Sequence, residues 1–210
     1  MPVLTITSRK GGCGKTMLTE ALAGILAERG ANVAILDADP NATAHRWATS
    51  VHEGVPIQAY AEADAERLAD LLPTLREKHA TLIVDTAGFG NQAAAVAIAA
   101  ADLVLVPVTP GEGDLVEAQR TVAYANGMSR STRRTIAVRV VANRIRRGTT
   151  LSRHVLAELD KLDLPRLQTT MSEAVAYGEI SFSGAIPKDG AAAEEIAALT
   201  AELQAAGALP

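Results

Sequence analysis

The sequence predicts one doubly wound α/β domain, a mostly parallel central sheet flanked by helices, and three observations carry that expectation. Short β-branched runs alternate with longer Ala/Leu/Glu-rich segments along the chain, which is the rhythm of β-α-β units. Hydrophobic residues make up 48% of the chain but aromatics only 3%. Such a palette of Ala, Val, Leu and Ile suits buried parallel strands covered by closely packed helices. Finally, the residues with evident chemistry fall at the carboxyl ends of the predicted strands, where open α/β sheets bind ligands.

In order along the chain, Val3–Thr7 reads as a first strand, and a glycine-rich turn leads into a helix from Lys15 to Arg29. Gly30 ends that helix, as a residue free to turn left-handed should. Asn32–Asp37 and Thr81–Asp85 are further strands, each finishing on a carboxylate, with a helix over Asn41–Ser50 between them. Asp102–Val106, Arg134–Val141 and the short Leu164–Gln168 complete the expected strands. Helices are expected over Asp64–Lys78, Asn91–Ala100, Gly113–Asn126, Leu151–Leu159 and Ala191–Ala205. No repeat, linker or low-complexity stretch interrupts residues 1–210, so a single domain is the economical reading.

A single cysteine, Cys13, excludes an intrachain disulfide framework or a multi-thiolate metal site and makes a reducing cytoplasm the default compartment. No apolar run approaches the roughly 20 residues that cross a bilayer. The net charge of −4 conceals an asymmetry. Between Arg120 and Arg166 ten Arg and one Lys face only Glu158, Asp160 and Asp163. A local excess of this size points to a basic face for an anionic partner, or to an Arg-rich solvated surface. His45, His52, His79 and His154 are scattered and suggest no constellation.

The sharpest signal is Lys10-Gly-Gly-Cys-Gly-Lys15-Thr16. Gly11, Gly12 and Gly14 permit a tight loop whose backbone N–H groups face phosphate oxygens, and the following helix adds its positive end. Lys15 supplies a mobile cation for β- and γ-phosphates, and the Thr16 hydroxyl a ligand for Mg²⁺. Ile83-Val84-Asp85 places Asp85 as the acid that holds Mg²⁺ through water, followed by a small-residue loop, Thr86-Ala87-Gly88, able to sense the γ-phosphate. Asp37 and Asp39, two apart in an extended segment, share one side of it. One can support the metal and the other reach the attacking water; Asp39 can also cap the next helix.

The lysine ahead of the glycines narrows the field. Lys-Gly-Gly-x-Gly-Lys-Thr resembles the deviant Walker A motif of the ParA/MinD family, as do Asp37-Ala-Asp-Pro40 and Val106-Pro-Val-Thr-Pro110. The similarity runs over nearly the whole chain, and its size is similar to small plasmid-type ParA proteins without an N-terminal helix-turn-helix domain. The resemblance implies an ATP-sandwich homodimer. Lys10 would then be the signature lysine reaching the partner's phosphates, Lys15 and Thr16 the Walker pair, Asp39 the water-orienting acid and Asp85 the Walker B acid. Asn143 matches the adenine-recognising asparagine; an amide suits an adenine edge, and a turn-forming role is the plainer alternative. Met17 departs from the usual second Thr or Ser, which places one α-phosphate contact in doubt. Cys13 occupies the variable loop position. Lysines and the helix N-terminus beside it should lower its thiol pKa, so either redox control or simple packing is open to it.

Among siblings, a membrane-targeting type carries a basic amphipathic tail, whereas Ala191–Pro210 holds no Lys or Arg. No membrane partner is therefore expected. The ParA branch implies non-specific binding of double-stranded DNA. Candidate phosphate contacts are Arg130, Arg133, Arg134, Arg144, Arg146, Arg147 and Arg153. The resulting expectation is a cytoplasmic, nucleoid-associated ATPase that positions a plasmid, carboxysome or other assembly. A ParB-like or other small adaptor would stimulate its hydrolysis. The alternative is a metabolic P-loop enzyme of the same superfamily that uses ATP to activate a small carboxylate.

Overall fold

A computed structural model describes residues 2–88 and 90–210. The strands are β1 (Val3–Ile6), β2 (Val33–Ala38), β3 (Gln58–Ala61), β4 (Thr81–Thr86), β5 (Leu103–Val108), β6 (Ala137–Ile145) and β7 (Arg166–Ser172). The helices are α1 (Lys15–Glu28), α2 (Thr43–Ser50), α3 (Ala65–Lys78), α4 (Gln92–Ala100), α5 (Glu112–Thr132), α6 (Thr150–Lys161), α7 (Val175–Ser183) and α8 (Gly190–Ala205). The strands form one sheet in the order β3-β2-β4-β1-β5-β6-β7, with every neighbouring pair parallel. β1 is central and the order reverses beside it, which makes the sheet doubly wound as expected.

Strand alternation assigns the two faces. Leu4 and Ile6 of β1, with Val33 and Ile35 of β2, join a core roofed by α1, α2, α7 and α8. Their neighbours Ala34 and Leu36 point the other way, into a core with α3 and α4, and Val104 and Val106 of β5 meet α5 and α6. β1, β2, β4 and β5 are buried along their full length, so their sequences read as continuous apolar runs rather than alternating ones.

With few aromatics, close approach substitutes for bulk. A Cβ on Gly24 of α1 would stand 2.3 Å from Ile186 and 3.7 Å from Trp47. The only tryptophan fills that groove and donates its indole N–H to the Ile180 carbonyl at 2.8 Å, fastening α2 to α7. Helix starts follow local chemistry: Asp64, Asn91 and Thr149 each cap orphan amides of α3, α4 and α6, and Gly30 sits at φ 79° just beyond α1.

Five elements differ from expectation. β3 and α7 were not foreseen: β3 is a four-residue edge strand, Gln-Ala-Tyr-Ala, with no fully buried side chain, and α7 carries a glycine in its interior. α5 runs to Thr132 rather than Asn126, continuing through Gly127. β6 starts at Ala137, not Arg134, and reaches Ile145; β7 lies at Arg166–Ser172 rather than Leu164–Gln168.

The exposed edge of β7 is closed by side chains. Glu202 of α8 accepts from the N–H groups of Gln168, at 2.9 Å, and Thr169, at 2.6 Å, and from the Thr169 hydroxyl. Glu195, two turns earlier on the same helix, accepts from the Ser172 N–H. Edge amides so satisfied do not recruit another strand. Glu202→Ala should leave these donors without their acceptor and cost about 1–3 kcal/mol, read as a lower urea midpoint with an unchanged m-value.

Candidate nucleotide-phosphate site

The turn after β1 is built around Gly14, whose φ of 94° places it in the left-handed region at the start of α1. No side chain caps that helix, so its first N–H groups face outward with the helix dipole behind them, an anion site by construction. The position also needs glycine for space, since a Cβ there would lie 2.2 Å from the Asn143 amide nitrogen. Lys15 is buried and its ammonium turns back over the loop to the Lys10 carbonyl at 3.4 Å.

The parallel register brings the carboxylates to the same end. Ile6 of β1 lies beside Asp85 of β4, and Asp85 beside Asp37 of β2. Thr16 donates to one Asp85 oxygen at 2.7 Å, while the other oxygen is buried without a partner. Burial pushes the Asp85 carboxyl up to about 7, the Thr16 hydrogen bond and Lys15 opposing, Asp37 and Asp39 adding to it. An orphaned carboxylate oxygen beside a threonine hydroxyl and two further acids is a donor set suited to Mg²⁺, which takes few protein ligands and completes its shell with water and phosphate oxygens.

The two flanking acids divide differently from expectation. Asp37 is fully buried and accepts from the backbone N–H groups of Asp39 and His45, both at 3.0 Å. Its burial raises its pKa, against those amide bonds and one from Ala44. Asp37, not Asp39, therefore satisfies the amides that open α2. Asp39 is half-buried and accepts from both the backbone and side-chain N–H groups of Asn41, at 2.9 Å each.

Lys10 lies outside the phosphate cradle. Its side chain is 49% exposed and its ammonium pairs with Asp114, in the first turn of α5, which also accepts from Thr109 at 2.6 Å. Arg9 pairs with Glu117 at 2.7 Å, and its backbone N–H meets the Thr121 hydroxyl. The segment ahead of the glycines is thus strapped to α5. Asp114 and Glu117 escaped the sequence reading, although the acidic start of Gly-Glu-Gly-Asp114 was visible. Cys13 is buried, 2% exposed, with its thiol toward the Lys10 carbonyl at 3.4 Å, so packing is the role its surroundings give it.

Asn143, at the end of β6, is completely buried. Its amide nitrogen donates to the Cys13 carbonyl at 2.8 Å, and its oxygen accepts from the Arg144 N–H at 2.9 Å. Arg144 takes φ 55°, a conformation a non-glycine residue rarely holds. Beside Asn143 opens a cavity of about 340 Å³ lined by Gly14, Met17, Ser172, Ala174, Tyr177 and Gly178, among others. Met17 thereby forms apolar floor where the usual hydroxyl is missing.

The seven candidate arginines do not form one face. Arg130 and Arg133 stand at the far end of α5, and Arg134 binds Asp102 and the Ala99 carbonyl at the opposite end of the sheet from the glycine loop. β6 separates them, by about 26 Å of extended chain, from Arg144, Arg146, Arg147 and Arg153. Of the latter, Arg146 pairs with Glu173, and Arg147 with Glu195. Proximity in sequence had merged two groups that the strand holds apart. Two of the histidines make structural hydrogen bonds: His79 bonds Tyr60 and Asn32, and His52 reaches the Gly184 and Val55 carbonyls.

A glycine loop feeding an uncapped helix, with Lys15, Thr16 and Asp85 converging on it, defines a P-loop protein on a doubly wound sheet. Within that class the chain belongs to the VirC1 family, whose family model matches residues 1–201. It is 28% identical to VirC1 of Rhizobium rhizogenes over 190 residues, covering 88% of this chain and 82% of that one. It is also 34% identical to ParA of Rhizobium radiobacter over 110 residues, 52% of this chain, and that match spans only half (50%) of the relative's length. The fold matches an ATP complex of Cyanothece McdA with TM-score 0.83 and 17% identity, over 99% of this chain and 96% of that one. Among the described residues no helix is long and apolar enough to cross a membrane.

One buried acid near the site was also missed. Glu20 of α1 is fully buried, accepts from the Ser181 hydroxyl of α7, and has one oxygen without a partner. Burial raises its pKa to about 7, opposed by Ser181 and reinforced by Asp37. From its ordinary 4.5 up to about 7 the folded chain holds a proton that the unfolded chain releases. Stability therefore falls as pH rises through this window, with a full penalty on the order of 3 kcal/mol above it. Glu20→Gln should raise the Tm by several degrees at pH 8 and by little at pH 5, measured by calorimetry at both values.

Proposed function

We propose that the chain is an Mg²⁺-dependent ATPase of the ParA type, which forms an ATP-sandwich homodimer, binds duplex DNA without sequence preference and positions a cargo through a stimulating adaptor. The observation that carries this reading is the division of labour between two lysines. Lys15 is buried over its own loop, whereas Lys10 is half-exposed on the rim, where a second copy can present its phosphates. The likeness to VirC1, ParA and McdA supports the same reading.

In this scheme the α1 amides and Lys15 hold the β- and γ-phosphates, and Thr16 and Asp85 would hold Mg²⁺. Mg²⁺ held there supplies neutralisation of charge on the β- and γ-phosphate oxygens. Asp37 supports the site indirectly, fixing the β2–α2 turn from which Asp39 reaches the attacking water. Water adds to the γ-phosphorus as the bond to the ADP oxygen breaks, giving ADP and phosphate. Lys10 from the opposite protomer offsets the charge that develops. The base lies in the cavity beside Asn143, on Met17 and Tyr177. Asn143 keeps the loop in register from below through Cys13; its buried amide oxygen already accepts from the Arg144 N–H, so reading the base edge requires that contact to be exchanged. The basic residues sharing the loop's end of the sheet, Arg144 and Arg153 foremost, meet DNA phosphates. The cargo is a plasmid, a carboxysome or another assembly, and the dimer is nucleoid-associated in the cytoplasm.

The deciding measurement is a duplex-DNA shift assay with ATP, ADP and no nucleotide at several salt concentrations. ATP should strengthen binding at least tenfold, and affinity should fall steeply with salt as counterions are displaced. Equal binding in all three states would instead favour a metabolic enzyme that activates a small carboxylate.

Variants separate the steps. Lys15→Gln should abolish tight nucleotide binding. Asp39→Ala should keep ATP and accumulate as a dimer in size-exclusion chromatography, because only water orientation is lost. Lys10→Ala should bind ATP yet fail to dimerise and lose at least 100-fold in turnover, the scale of a missing transition-state cation.

A further inference from the structure

The wall of the cavity beside Asn143 is held from behind by a residue of the C-terminal helix. Glu195 of α8 is 5% exposed and makes four polar contacts. It accepts from the Ser172 N–H at 2.7 Å, the Ser172 hydroxyl at 2.9 Å, the Tyr177 hydroxyl at 2.6 Å and Arg147 at 2.9 Å. Ser172 and Tyr177 both line the cavity, on β7 and α7 respectively. Glu195 is the side chain that bonds to both elements. Arg147 is the one cation paired with it among the described residues. Burial and the Glu195 bond together keep the Tyr177 phenol protonated, so it remains a donor.

A buried carboxylate is tolerable when its hydrogen bonds and countercharge are complete, and costly when one is removed. We propose that Glu195 is a positioning residue for the nucleotide base, setting the Ser172–Tyr177 wall of the base cavity, and that Arg147 is its countercharge rather than a DNA contact. This assigns the α8 acid and a loop arginine to nucleotide affinity, although neither reaches the phosphate site. It rests on the reading above that the base occupies this cavity.

The test compares two ligands that share a diphosphate, only one of which carries the nucleoside: Mg-ADP and Mg-pyrophosphate, each measured by calorimetric titration of the full chain. Glu195→Ala should weaken Mg-ADP about tenfold, the scale of one or two lost hydrogen bonds, and leave Mg-pyrophosphate within twofold. Arg147→Ala should weaken Mg-ADP similarly, because the acid behind the wall is left uncompensated. In the double variant Glu195→Gln/Arg147→Ala, a neutral amide needs no countercharge, so Mg-ADP affinity should recover toward the wild-type value. This recovery, with thermal melts showing folded protein, is an effect that loss of general stability would not produce.

Equal weakening of both ligands by Glu195→Ala, or no weakening of either, would overturn the assignment. So would an Arg147→Ala variant that loses duplex-DNA affinity while keeping Mg-ADP. Wild-type protein that binds Mg-ADP no better than Mg-pyrophosphate removes the base cavity itself, and the role of Glu195 with it. Discrimination by the wild type that survives in Glu195→Ala removes only that role.

Discussion

Parallel register forces Asp37 and Asp85 side by side at the end of a sheet where water is largely excluded, and Asp39 follows one residue beyond the strand. Like charges in a low-dielectric setting raise each other's pKa and disfavour folding unless something compensates. The surroundings meet this demand in three ways. Asp37 is stabilised by the amides that open α2, Asp85 receives the Thr16 hydroxyl, and Lys15 lies over the same corner. The oxygen of Asp85 left without a partner is the remainder. A site with a residual need for positive charge, facing an uncapped helix that attracts negative charge, fits a metal–phosphate pair better than either ion alone.

The scaffold's composition serves this corner. Without bulky aromatics, the helices lie close to the sheet, and contacts such as Gly24 against Ile186 let α1 and its neighbours pack in one rigid layer. Rigidity matters because the loop at the head of α1 is held by few groups: the Asn143 amide on the Cys13 carbonyl, and the Arg9 and Lys10 pairs on α5. Together they attach the loop to β6 on one side and to α5 on the other. α8, remote from the phosphates, adds two acids to its apolar packing, Glu202 closing the sheet edge and Glu195 bracing the cavity wall.

Much of this was legible in the chain. The six strongest strands, the glycine turn and Gly30 at the end of α1 follow from local rules that depend on a few consecutive residues. β3 and α7 did not, since their residues carry no apolar periodicity and they form because a neighbouring edge or groove needs covering. The arginines show the opposite error. Seven cations between residues 130 and 153 look like one patch, yet nine residues of extended β6 place them at two ends of the molecule.

The sequence by itself determined the phosphate loop, the order of six of the seven strands and of the helices other than α7, and the placing of Thr16, Asp85, Asp37 and Asp39 at strand ends or the helix start, because loop chemistry and periodicity are written in contiguous residues. Only the tertiary structure decided that Asp37 caps α2, that Asn143 grips the loop, that Lys10 rests on Asp114, and that Glu195 braces Tyr177. Those pairings join residues 8 to 130 positions apart, brought together by sheet order and helix packing. Local sequence rules reach a turn or two along the chain and carry no information about which distant side chain will complete a buried polar group.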